Sequence, residues 1–191
     1  GASTGSFTMT AMGSAFDDNR IFNGKTVTEM KKLVNQGMDL GTFAADTASY
    51  KERGGKEPVS DLSFNLTLDD FAVIAGTRIH FRPCLEPFGY QPFDTIGVRI
   101  FERPASVDSI LYRIPAGYEP EFMPAAVFTQ KPCGTYRYEI TPIDENSLLF
   151  VRELKINKGV YEGDRARELF AFLNSAAERD HQRLILVRSQ N

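Results

Sequence analysis

The chain has 191 residues, 42% of them apolar, and a formal net charge of −3. That content can build one globular core or two small ones. The mild acidity argues against a surface made for nucleic acid or anionic lipid, and no apolar run reaches the ~18–20 residues of a membrane-spanning helix.

The opening Gly1-Ala2-Ser3-Thr4-Gly5 has no initiator Met and no signal-peptide pattern. It reads as a processed or trimmed form, so residues 1–5 are set aside as a linker remnant. Residues 6–12 alternate, with Phe7, Met9 and Ala11 on one side, and predict a strand. Asp17-Asp18-Asn19 reads as loop and Asn23-Gly24 as a break. Thr26-Val27-Thr28-Glu29 fits a capping box, in which the Thr26 hydroxyl takes an orphan N–H and Glu29 reaches back. Val27, Met30, Leu33 and Val34 make the apolar stripe of a short helix that Gly37 ends.

Residues 38–49 are weakly patterned and extended, and residues 50–58 form a polar connection. Leu62, Phe64, Leu66 and Leu68 alternate with polar neighbours as a strand. After the break at Ala75-Gly76, residues 78–82 alternate again, with Ile79 and Phe81 inward and Arg78, His80 and Arg82 outward. A rigid connector follows, Pro83-Cys84-Leu85-Glu86-Pro87-Phe88-Gly89-Tyr90-Gln91-Pro92-Phe93, whose three prolines preclude a regular helix. We place the subdomain boundary there.

Beyond it, Ile96, Val98 and Ile100 alternate, as do Ile110, Tyr112 and Ile114. Pro115-Ala116-Gly117 is a turn, residues 118–130 are extended with prolines, and Lys131-Pro132-Cys133-Gly134 turns into a hairpin. In that hairpin Tyr136, Tyr138 and Ile140 point one way, and strand character resumes over residues 148–156. Ala166, Leu169, Phe170, Leu173, Ala176 and Ala177 recur at helical spacing, with Asp164 as the expected N-cap. The closing run Leu184-Ile185-Leu186-Val187 is apolar throughout, which predicts a strand covered on both faces. The fold expected is therefore a β-rich α+β protein with antiparallel sheets and two covering helices. Residues 6–90 would form a small α+β subdomain, and residues 91–191 a β-sandwich-like subdomain with a C-terminal helix and closing strand.

A string of short motifs carries a family likeness. It comprises Ile114-Pro115-Ala116-Gly117-Tyr118-Glu119, Met123-Pro124, Gly134-Thr135-Tyr136-Arg137-Tyr138 and Arg152-Glu153-Leu154-Lys155-Ile156-Asn157-Lys158-Gly159. Tyr161-Glu162, Phe170-Ala171-Phe172-Leu173-Asn174, Asp180-His181-Gln182-Arg183 and Leu184-Ile185-Leu186-Val187 complete it. The chain resembles the C-terminal β-rich domain of unknown function that follows the transglutaminase-like core of large exported bacterial proteins. The likeness is firm from about Gln91 onward and looser over residues 6–90. It implies a periplasmic, cell-surface or secreted location, and as partners the core and an N-terminal β-rich domain of the same polypeptide. The family's catalytic Cys, His and Asp belong to the core, so the resemblance places no active site in this chain.

The residues themselves add little chemistry. A thiol-based site needs a thiolate beside an oriented imidazole. His80 and Cys84 are the nearest such pair, and at four positions along an extended chain they would lie roughly 13 Å apart. Cys84 and Cys133 are expected to be unpaired, buried thiols, with a disulfide left open if the protein is exported. His181 suits the negative end of a helix dipole. Asp17-Asp18 and Asp69-Asp70 read as turns rather than calcium ligands, and the sequon at Asn65 falls within a strand. The reading names no catalytic residue, no metal and no cofactor.

Two features stand out as a possible ligand or partner surface. Arg78, His80 and Arg82 form a cationic row that could meet a carboxylate. Phe88, Tyr90 and Phe93 could stack on a sugar or dock a peptide, or else plug the subdomain junction. The expected function is a non-catalytic accessory module that packs on, or presents substrate to, a transglutaminase-like core. The alternative is a module binding cell-wall glycan or peptide through the aromatic connector. An independent hydrolase is the third reading.

Overall fold

The computed structural model describes residues 1–37, 43–85, 87–88, 97–101 and 105–189. It is β-rich α+β, as the sequence predicts, and divides into two compact units, Gly1–Ala72 and Val73–Asn191. That division lies upstream of the proline-rich connector.

The first unit is a three-stranded antiparallel sheet with helices on one face. Its strands are β1 (Ser3–Met12), β2 (Phe43–Arg53) and β3 (Val59–Leu68), in the order β1-β3-β2. Ser3, Thr4 and Gly5, set aside in the sequence reading, pair with Leu68, Thr67 and Leu66, so they belong to β1. Residues 50–53, expected as connection, extend β2 because they pair with Leu62, Asp61, Ser60 and Val59.

Asp17-Asp18-Asn19 is not a loop. It lies in helix α1 (Ser14–Asn19), followed by a 3-10 turn (Arg20–Phe22). Burial of Phe16 and Asn19 outweighs the turn-forming preference of the acidic run. Among the described residues three α-helices therefore form where two were expected. Helix α2 (Val27–Gly37) starts as its capping box dictates. The Thr26 N–H donates to Glu29 Oε2 at 2.9 Å, and the Glu29 N–H to Thr26 Oγ1 at 3.3 Å. Met30 and Val34 are its buried residues.

The second unit opens with β4 (Ala72–Ala75) and β5 (Arg78–Phe81). It continues through β6 (Val98–Ile100), β7 (Ala105–Arg113), β8 (Tyr118–Phe122) and β9 (Val127–Lys131). Then come the hairpin of β10 (Gly134–Asp144) and β11 (Ser147–Ile156), and β12 (Gly159–Tyr161). Helix α3 (Gly163–Asp180) and β13 (Leu184–Arg188) close the unit. Gly117, with φ 78°, takes the left-handed position of the predicted turn before β8.

One antiparallel sheet runs β7-β11-β10-β9 and another β4-β5-β13-β8, while β12 and β6 pair separately. The closing strand is central, with Leu184 and Leu186 buried, as its apolar run predicts. Because β5 joins that sheet, residues 78–81 fold with the second unit rather than with residues 6–72.

The core of this unit forms where α3 meets the even-numbered face of the hairpin. Tyr136, Tyr138, Phe150, Leu154 and Ile156 pack with Ala166, Leu169, Phe172, Leu173 and Ala176. Burying each large apolar side chain contributes roughly 1.5–3 kcal/mol. Phe172 lies on the buried stripe while Phe170 flanks it, the reverse of the emphasis in the sequence pattern. Asp164 is not the N-cap. Glu162 holds that place without a side-chain bond, and Asp164 instead accepts from Arg167 in the first turn. At Gly134 a Cβ would run into the Lys155 carbonyl and meet the Phe172 ring at 3.2 Å, so glycine is what lets the helix approach the strand.

Candidate functional site

The most unusual chemistry of the second unit lies under α3. On β11 the inward positions read Leu148, Phe150, Arg152, Leu154, Ile156, a guanidinium in an otherwise apolar row. Arg152 is 3% exposed and faces Asp180, 0% exposed, at the last turn of α3. Arg152 Nε donates to Asp180 Oδ1 at 2.8 Å, and Nη2 lies 2.8 Å from Oδ2. This is the two-point fork that suits guanidinium to carboxylate.

Both groups have further partners. Asp180 also accepts from the Tyr136 hydroxyl at 2.7 Å and the Phe88 N–H at 2.9 Å. Arg152 Nη1 donates to Ser106 Oγ at 2.9 Å and to Asp108 Oδ2 at 3.1 Å on β7. Strands β7, β10 and β11, the connector at Phe88 and the end of α3 are thereby tied to one point.

The electrostatics follow from burial and partner. Burial works against the Arg152 charge, but the bonds and charges of Asp180, reinforced by Asp108, outweigh it and hold the guanidinium above its usual value. Burial raises the Asp108 carboxyl against the opposing pull of Arg152. Burial and the bond to Asp180 raise the Tyr136 phenol. The carboxylate takes four donors, and four of the five guanidinium N–H groups have acceptors, so little of either is left for a substrate. This arrangement fixes geometry; it offers no nucleophile.

The Cys84 thiol lies close enough to this network to feel the charges of Asp180, Arg152 and Asp108, whereas Cys133 does not share those partners. Both are free and buried. Burial pushes the Cys84 thiol up to about 12, so it stays protonated at neutral pH. Burial also raises Cys133. Among the described residues, no group of three or more His, Cys, Asp or Glu is placed to hold a metal ion.

Of the sequence-nominated surface residues, Arg78 and His80 both lie near Glu121, while Arg82 has other partners. Arg78 forms a two-point ion pair with Glu121 at 2.5 and 2.6 Å. His80 is half-buried on β5 opposite Ile185. Arg82 turns away, donating to the Cys84 carbonyl at 3.0 Å and meeting His181 Nδ1 at 3.4 Å. Phe88 is half-buried against the core. Tyr90 and Phe93 lie outside the described residues.

While Val73, Ile74 and Phe101 are among the apolar residues exposed elsewhere, part of the exposed apolar surface of this unit lies on the other face of the β7-β11-β10-β9 sheet. There the odd-numbered residues of β7 and β11 and the even-numbered Phe128 of β9 point outward. Val107 is 62% exposed, Leu111 51% and Phe128 69%. Leu111 stands opposite the half-buried Leu149, and Val151 lies one row away. Arg137 sits between Phe128 and Glu153 in register and pairs with Glu139 at 2.6 Å and Glu153 at 3.6 Å. The face therefore has apolar flanks around a charged centre in which one arginine meets two glutamates.

Residues 98–186 match the family model of a domain of unknown function, DUF3858. No curated protein and no solved structure matches the chain. The matched stretch runs from β6 into β13, so it contains Arg152, Asp180, Asp108 and Tyr136 and leaves out Cys84 and the Arg78, His80 and Arg82 row.

The sequence reading missed the Arg152–Asp180 pair, although two signals mark it. An arginine occupies an inward position of an alternating strand, and an aspartate ends a helix, where the dipole disfavours it. Neither is stable unless the other answers it.

Proposed function

We propose that this chain is a non-catalytic accessory module of an exported bacterial protein, packing on a transglutaminase-like core of the same polypeptide or presenting substrate to it. The observation that carries this reading is the open face of the β7-β11-β10-β9 sheet. Val107, Leu111 and Phe128 are all more than half exposed there, with Leu149 and Val151 between them. Exposed apolar side chains gathered on one sheet face are a candidate docking surface. Arg137 pairs with Glu139 and Glu153 within the face, so a partner would be recognised mainly by shape and apolar area.

The identity of the partner rests on the resemblance carried by the motifs from Ile114 to Val187. The non-catalytic part is supported by the protonated, buried thiols and by a buried charge network whose carboxylate and guanidinium bind each other. A periplasmic or cell-surface setting, and an N-terminal β-rich domain as a further partner, belong to the same reading.

The test is to read the parent gene for a Cys–His–Asp core upstream, express that core separately, and titrate it with this chain by calorimetry. Binding that Val107→Lys and Leu111→Lys abolish supports the reading. Absence of binding, with no cross-linking between the two pieces, defeats it.

A further inference from the structure

Sheet edges that stay exposed in solution are blunted, because a free row of N–H and C=O groups invites another strand. Among the described residues nearly every sheet edge is protected. Edge β2 carries Asp46, Lys51, Glu52 and Arg53 and a register shift between Ala45 and Thr47. Edge β7 carries the inward-pointing Asp108, and β8 carries Glu119, Pro120 and Glu121. Edge β9 ends in Lys131 and runs into Pro132. Strands β4, β6 and β12 are four, three and three residues long.

Edge β1 is the exception among the described residues. It has ten residues, Ser-Thr-Gly-Ser-Phe-Thr-Met-Thr-Ala-Met, with no charge and no proline, and its pairing with β3 shows no register shift. Its free edge runs ~33 Å. Gly5 is exposed, and a Cβ placed on it would meet no atom within 4 Å.

We propose that β1 pairs with β1 of a second copy of this chain, antiparallel about a two-fold axis, joining two three-stranded sheets into one. The strand is self-complementary in the sense such an interface demands. Thr4, Ser6, Thr8 and Thr10 share one face, where they bond across to β3: Ser6 to Asn65 at 2.9 Å, Thr8 with Ser63 at 3.1 Å, Thr10 to Asp61 at 2.7 Å. Phe7, Met9 and Ala11 share the other. Antiparallel registers centred on Phe7 or on Thr8 place hydroxyl beside hydroxyl and apolar beside apolar across the middle of the new seam, with Ser3 opposite Ala11 or Thr4 opposite Met12 at its ends. A charged or structured partner would leave the neutrality of β1 unused. A second copy brings an equally neutral strand, with no like charges to oppose. The two-fold closes the pair, so the assembly stops at two. This inference uses residues 3–12 alone and does not depend on the docking face proposed above.

The test is sedimentation velocity of the 191-residue chain from about 1 µM to about 1 mM. The expected species at the upper end has twice the 21.4 kDa chain mass. The double variant Ser6→Lys/Thr8→Lys sets lysine beside lysine in both central registers, and dimerisation should weaken about tenfold or more. Ser6→Glu/Thr8→Glu should weaken it likewise, and a one-to-one mixture of the two variants should restore a dimer. Amides of residues 3–12 in the unaltered chain should also exchange more slowly at high concentration than at low, while those of β2 do not change. That readout stands even if a variant fails to fold. A monomer throughout, an open-ended polymer, a dimer indifferent to the lysines, or concentration-independent exchange of β1 would each overturn the proposal.

Discussion

Replacing Asp180 with alanine removes the point at which three strands and a helix are held. Arg152, 3% exposed, would keep its charge in the core with only Asp108 and Ser106 to answer it. The Tyr136 hydroxyl and the Phe88 N–H would lose their acceptor. Breaking one side of a buried ion pair costs about 3–5 kcal/mol. Against a typical domain stability of about 5–15 kcal/mol, that is a large fraction. With a urea slope near 2 kcal/mol per molar, the midpoint of the second unit should fall by about 2 M. Near-UV circular dichroism reports this unit, since every tyrosine but Tyr50 lies after residue 72. Removing both charges together, as Arg152→Met with Asp180→Leu, should recover most of the loss, because no buried charge is then left alone. A midpoint shift below about 0.5 M for Asp180→Ala would refute the reasoning.

Three further outcomes are expected. Tyr138 is fully buried and its hydroxyl has no hydrogen-bond partner among the described residues, so Tyr138→Phe should stabilise the second unit, by about 1 kcal/mol in urea titration; a loss of stability would reveal a partner for the hydroxyl. Neither thiol should react with Ellman's reagent in the native chain, and both should react once urea unfolds it, since burial keeps them protonated and covered. Native labelling of Cys84 would contradict the buried placement. The Thr26 N–H and hydroxyl hold the Glu29 carboxyl below its ordinary value. Its contribution is therefore present above the unfolded carboxylate pKa and lost as pH falls through the lower folded value. Glu29→Gln should lower the melting temperature of the first unit at about pH 7 and make little difference at about pH 3; a gap that stays constant with pH would count against the capping box.

The sequence disclosed most where period and burial agree. Leu62, Phe64, Leu66 and Leu68 alternate because one face of β3 is covered, and Thr26 with Glu29 announces α2 because the cap is purely local. It disclosed least where distant residues decide. Asp17-Asp18-Asn19 has the composition of a turn, and only the burial of Phe16 and Asn19 makes it helical. Tyr136, Arg152 and Asp180 are far apart in the chain, and nothing local says that a hydroxyl, a guanidinium and a carboxylate converge. The charges of Arg78 and Arg82 were legible, but not that Glu121 and the Cys84 carbonyl would occupy them. An exposed cationic row and an engaged one look identical until the opposite strand is in place.

The docking reading meets its most direct test in a calorimetric titration of the separately expressed transglutaminase-like core with this chain and with its Val107→Lys/Leu111→Lys variant. Saturable binding by the unaltered chain, lost in the variant while its circular dichroism is unchanged, is the predicted result. No heat of binding, or equal binding by both, would contradict it.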